Sequence, residues 1–123
     1  MRPLYNIIIG IGLLLFTSCG QQHQAKGVIR EFVNHNLVNP SSCSSISVVK
    51  FDSTKVLNDS ILNRMRTNAD TIQRYQKSIK YDEGTVGEKL YVVRISYSIN
   101  DTKYSDTYYL DELLTRVVAF KSN

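Results

Sequence analysis

The chain has 123 residues, of which 15 are basic and 11 acidic, for a net charge of +4. That length supports one domain with one core and excludes two. A surplus of charge this small selects no partner class, and no repeat or low-complexity tract interrupts an ordinary globular composition.

The first residues form a segment of their own. Arg2 and the amino terminus are basic, residues 7–16 are an uninterrupted apolar run, and small Thr17 and Ser18 precede Cys19. A run of about ten residues is the length of a signal-peptide core, well short of the roughly 17–25 needed to cross a bilayer. Phe16-Thr17-Ser18-Cys19 resembles the lipobox of bacterial lipoproteins, with Phe where that family most often has Leu. Without the resemblance, the same residues read as an ordinary cleaved signal or an uncleaved anchor. The resemblance implies that residues 1–18 are removed and that Cys19 becomes a lipidated amino terminus. Each buried acyl methylene then contributes about 0.8 kcal/mol to membrane attachment. It also implies an outer-membrane lipoprotein facing the periplasm. Gly20 follows the cysteine instead of a retaining Asp, and residues 21–26 lack the acids that direct export to the surface in one Gram-negative lineage. Removal of 1–18 takes away one basic residue and no acid, leaving +3. In that compartment nucleic acid is not an expected partner.

Residues 19–24 read as the lipidated cysteine and a short polar tether, and 25–123 as the domain. Ala25, Val28, Ile29, Phe32, Val33 and Leu37 recur at helical spacing, ended by Asn39-Pro40. Asn36 interrupts the stripe and is expected to satisfy a carbonyl of the last turn. Residues 44–51 read as a strand, broken by Asp52-Ser53-Thr54. Asn58-Asp59-Ser60 offers caps to a second helix, whose stripe of Ile61, Met65, Ala69, Ile72, Tyr75 and Ile79 predicts helix to about residue 79. Arg66, Asp70, Arg74 and Lys77 fall on its far, solvated side, spaced for i,i+4 pairs.

Residues 82–87 are a turn-rich loop. Residues 88–99 then alternate, with Tyr91, Val93, Ile95, Tyr97 and Ile99 on one face and Arg94, Ser96 and Ser98 on the other. That is a half-buried antiparallel strand. Asn100-Asp101-Thr102-Lys103 turns into a strand from Tyr104 to Asp111, and a second turn leads into a last strand over 115–121. The expected fold is α+β: two helices on a curved antiparallel sheet of about four strands in the order α-β-α-β-β-β. This order is similar to NTF2-like and cystatin-like folds, and the similarity carries no motif.

Chemistry-bearing patterns are sparse. His23 and His35 have no partner at metal or catalytic spacing, glycine-rich phosphate loops are absent, and no cofactor or catalytic set is expected. With Cys19 lipidated, Cys43 is unpaired; it has no nearby His, Lys or Arg to lower its pKa and reads as inert, with a nucleophilic or mixed-disulfide role as the alternative. Tyr91, Tyr97, Tyr104, Tyr108 and Tyr109 crowd the two central strands, as sheet packing or as a binding surface. Asp52-Ser53-Thr54, Asp59-Ser60-Ile61 and Asp70-Thr71-Ile72 resemble the O-glycosylation pattern of the same lineage, which implies modification at Ser53, Ser60 or Thr71. The favoured reading is a membrane-anchored, non-enzymatic module for a protein partner in the envelope. The alternatives are an inhibitor or immunity-type protein, and a small-molecule carrier or cavity enzyme of NTF2-like type.

Overall fold

The computed structural model describes the backbone of residues 2–84 and 86–123 and the side chains of residues 19–84 and 86–123. The side chains of the expected signal segment, 1–18, lie outside the described residues. Two helices and a four-stranded open antiparallel sheet make an α+β domain in the expected order. The elements are α1 (Arg2–Asn36), β1 (Ser47–Thr54), α2 (Asp59–Ala69), β2 (Leu90–Ile99), β3 (Thr102–Leu110) and β4 (Val117–Ser122), with the strands side by side in sequence order.

The helical stripe of α1 is the backbone of the larger core. Ala25, Ile29, Val33 and Leu37, each four residues from the last, are fully buried. They pack on the face of β2 that carries Tyr91, Val93, Ile95 and Tyr97, all buried as the alternation predicts. The same face continues through Leu110, Tyr108, Asp106 and Tyr104 of β3, because each pairs with an inward residue of β2. The space between helix and sheet is filled by aromatic rings. Tyr108 and Phe120 stack at 4.9 Å, Phe32 meets both edge-on at 5.7 and 5.6 Å, and Tyr75 lies 4.6 Å from Phe120.

Residues 20–24, expected as a short polar tether, continue α1. They are helical, Gln21 donates to the Tyr91 hydroxyl at 3.3 Å, and Gln24 donates to the Leu114 carbonyl at 3.0 Å. Glutamine is a good helix former, and these two reach the end of the sheet. At the other end of α1, Asn36 donates to the Phe32 carbonyl at 2.9 Å as expected.

β1 also runs further than expected. Asp52, Ser53 and Thr54 pair with Val92, Tyr91 and Leu90 in place of ending the strand, so sheet pairing overrides the weak strand propensity of Asp52. Val49, exposed, is the extra residue of a bulge between Val48 and Lys50. β2 and β3 are joined by Asn100-Asp101, both with positive φ (50° and 67°), the two-residue turn that matches the twist of the strands.

α2 starts as its sequence implies, with the Asn58 side chain accepting from the Ile61 N–H at 3.0 Å. It stops at Ala69, well short of residue 79. The following segment turns back so that Tyr75 pairs with Leu37; Gln76 N–H donates to Asn36 and Val38 N–H to Arg74. α2 lies along β4. Its Leu62 and Met65 join Leu90, Tyr109, Val118 and Ala119 in a second cluster on the opposite sheet face. Ala69, Ile72 and Tyr75 belong to the first cluster, so the chain straps the β4 edge from one face to the other. Val118 is the unpaired residue of a bulge in β4, and Arg66 Nε donates to its free carbonyl at 2.7 Å. The strap thereby covers an edge that would otherwise be open to pairing.

Candidate functional site

Two polar features stand out from the apolar packing, one closed and one open. The closed one centres on Asp106, fully buried on β3. A carboxylate in such a place is costly unless charged or hydrogen-bonded partners surround it. Arg74, delivered by the strap, pairs with Oδ1 through a guanidinium nitrogen. Tyr97 donates to Oδ2, and Tyr75 donates to the same oxygen at 2.7 Å. Because the Tyr75 proton is committed to Asp106, the 2.6 Å contact with Tyr108 has Tyr108 as donor. Arg74 Nε donates in turn to the Tyr97 hydroxyl at 2.7 Å, and the nitrogen that meets Asp106 also donates to Ser122 at 3.0 Å. The guanidinium lies 4.3 Å from the centre of the Tyr104 ring. Burial, reinforced by the neighbouring Asp106 charge, pushes the Tyr97 and Tyr108 hydroxyls well above the usual phenol range. Burial likewise raises Tyr75, followed by its contacts with Tyr108 and Asp106.

The tyrosine surface considered from the sequence is therefore not open. Tyr91, Tyr97, Tyr108 and Tyr109 are buried, and Tyr104 is half-buried under Arg74. Arg74 and Tyr75, placed by periodicity on a second helix, lie beyond its end, and Arg74 faces the core instead of solvent. Asp106 was legible only by counting in twos from Tyr104 to Tyr108. Arg74 carried no local signal, since its position depends on where α2 stops.

The open feature is a groove of about 550 Å³ beside α1. Its apolar floor is Val28, Phe32 and Val117. Its polar wall carries Arg116, Lys80, His35 and Ser78, with Glu31 and Asp82 as acids. Arg116 is 8% exposed, and its guanidinium donates to the carbonyls of Asp82 and Gly84 at 2.9 and 2.5 Å. Its charge is thus held by backbone dipoles. Asp111 carries the turn that positions Arg116. Its carboxylate accepts from Thr115 N–H at 2.7 Å and Arg116 N–H at 3.0 Å. Burial alone would raise the Asp111 pKa, but these bonds, the Thr115 hydroxyl and the Arg116 charge lower it on balance. His35 is exposed, with Nδ1 2.7 Å from the Glu31 carbonyl.

The remaining sequence candidates are dispersed. Cys19 is exposed on α1. Ser53, Ser60 and Thr71 are exposed on β1, in the first turn of α2 and in the turn after it; Thr71 was expected within the helix. Cys43 is half-buried, and burial followed by the Asp106 charge raises its pKa, which makes it a poor nucleophile. Among the described residues, no group of three or more His, Cys, Asp or Glu is arranged to hold a metal ion, and no helix is long and apolar enough to cross a membrane. No protein-family model, curated protein or solved structure matches this chain.

Two outcomes follow for the closed network. Tyr75→Phe removes a donor to a buried carboxylate and the acceptor of Tyr108, and should cost about 2–3 kcal/mol in denaturant unfolding. Tyr81, whose hydroxyl is buried without a partner among the described residues, is the control. Tyr81→Phe should lie within about 0.5 kcal/mol of the parent or be more stable. The second outcome concerns alkali. Tyr75, Tyr97 and Tyr108 hold their protons when folded and release them above about pH 10 when unfolded, so the unfolded state binds fewer protons there. Stability should be insensitive to these groups below that pH and fall above it. Ultraviolet absorbance of phenolate should show their ionisation coinciding with loss of the far-ultraviolet dichroism.

Proposed function

We propose that the chain is a lipid-anchored, non-catalytic envelope protein whose domain binds a protein partner through the groove beside α1. The groove carries the reading. It joins an apolar floor to a buried guanidinium and an exposed lysine, which suits a segment that offers an apolar side chain together with a carboxylate or carbonyl acceptor. Asp106 does not favour an enzyme, because both oxygens of its carboxylate are engaged by Arg74, Tyr75 or Tyr97 and rings fill the space around it. The same packing disfavours a carrier with a cavity between helix and sheet. An inhibitor of a secreted hydrolase or toxin would use the groove in the same way and is the second reading within the binding class. Lipidation at Cys19 rests on the order of charge, apolar run and cysteine at the start of the chain.

Photo-crosslinking in intact producing cells tests the reading. Crosslinkers at His35 and Lys80 should trap one discrete partner band, and crosslinkers at Lys50 and Arg94 on the opposite sheet face should not. Lys80→Glu should weaken the recovered complex by about tenfold, as expected for a charge reversed at a binding rim. Equal labelling from both faces, or affinity unchanged by Lys80→Glu, would remove the groove as the recognition surface.

A further inference from the structure

The first described side chains that bond to the sheet end lie very close to the proposed anchor. With about 1.5 Å of rise per residue, Gln21 is only about 3 Å and Gln24 about 7.5 Å along α1 from Cys19. Those two side chains already grip Tyr91 and the Leu113–Leu114 turn, and Ala25 is fully buried. No free tether separates Cys19 from the body of the protein, so whatever holds the cysteine also fixes which end of the sheet comes nearest to it. That end is defined by the register. Thr54 pairs with Leu90 and Tyr91 with Leu110, which places together the chain leaving β1, the start of β2 and the β3–β4 turn.

Among the described residues, four large apolar side chains are prominently exposed, and two of them belong to this end. Val56, just after β1, is 83% exposed, and Leu113, at the tip of the β3–β4 turn, is 76% exposed. They flank the start of β2, over which α1 enters the domain. Lys55, exposed, and Lys89, above the Tyr91 ring at 4.9 Å, stand beside them, with Glu88 and Glu112 as the acids of the same end. The arrangement is two apolar tips with adjacent long basic side chains, on the side to which an apolar sequence or acyl chains attach. Lysines in such a position keep their charge at the headgroups while their stems lie along apolar surface.

We propose that this end of the sheet is seated on the lipid surface, with Leu113 and Val56 inserted at the boundary between headgroups and acyl chains. The proposal rests on the anchoring of Cys19 and adds to it a fixed orientation. The domain is then held with α1 leading away from the membrane, so that the groove has Thr115–Val117 at its membrane-near end and His35 and Asn36 at the end farther from the lipid. A partner then meets the groove from the aqueous side.

The chain contains no tryptophan, so a single introduced indole reports without background. The test uses the full chain, produced with its native processing and reconstituted in phosphatidylcholine–phosphatidylglycerol vesicles with brominated acyl chains. It compares Leu113→Trp, Val56→Trp and Val38→Trp. Val38 is 62% exposed beyond the far end of α1 and is the control. The Leu113→Trp and Val56→Trp variants should show blue-shifted emission and strong quenching by bromines about 5–10 Å below the surface, the depth of an interfacial residue, and Val38→Trp neither. Vesicle-bound Leu113→Trp and Val56→Trp proteins that emit like the Val38→Trp control would overturn the docked orientation and leave the anchor intact. Protein that does not float with vesicles, and whose intact mass shows an unmodified Cys19, would overturn the anchor and the orientation with it.

Discussion

A carboxylate with no access to water sits in the middle of this sheet, and much of the fold is arranged to accommodate it. Asp106 cannot be satisfied by its own hairpin. Among the described residues, Tyr97 donates to it from the neighbouring strand, and Arg74 and Tyr75 donate from a segment distant in sequence. The segment 70–81 is therefore held in a single path. Departure from that path would leave a buried charge without a counter-charge, a loss of several kcal/mol, whereas the aromatic packing around it would tolerate a shifted ring at much lower cost. Burial of an ion pair is not in itself stabilising against an apolar replacement. Its contribution here is to specify one docking of the strap among the many that Tyr75, Phe120 and Phe32 would otherwise permit.

The strap in turn completes the sheet. α2 lays Leu62 and Met65 on one face, Arg66 closes the free carbonyl at the Val118 bulge, and Arg74 and Tyr75 lock the other face. Pairing of Leu37 with Tyr75 then ties the end of α1 to the same segment. Beside this junction the residues 76–82, the β3–β4 turn and α1 leave the groove, whose deepest charge, Arg116, is held by the carbonyls of Asp82 and Gly84. The closed network and the open groove are thus linked. One fixes the strap, and the strap supplies one wall of the other.

Local patterns in the sequence are a reliable guide where local physics decides the outcome. The strict alternation of β2, the four-residue repeat of Ala25, Ile29, Val33 and Leu37, the cap at Asn58 and the Asn100-Asp101 turn each follow from the chemistry of a few adjacent residues. The departures occur where a distant partner overrides local preference. α2 ends at Ala69 although Ile72, Tyr75 and Ile79 continue its stripe, because Tyr75 and Arg74 are bound by Asp106 and Leu37. β1 continues through Asp52-Ser53-Thr54 because β2 offers hydrogen bonds. The polar run before Ala25 is helical, and Gln21 and Gln24 find acceptors on β2 and in the β3–β4 turn. Within the candidate sites, the same division holds. The crowding of tyrosines on β2 and β3 is visible in the sequence as either sheet packing or a surface, and the fold decides for packing by bringing Asp106 and Arg74 together among them.

The claim on which this account depends is that Arg74 and Asp106 act as a coupled pair that positions the strap. A double-mutant cycle with Arg74→Met and Asp106→Leu, read by urea unfolding, measures it directly. Each single variant leaves one charge uncompensated and should lose about 3–5 kcal/mol. The double variant should recover part of that loss, with a coupling energy of about 2–3 kcal/mol. Additive losses, equal within about 0.5 kcal/mol to the two single effects combined, would contradict the account.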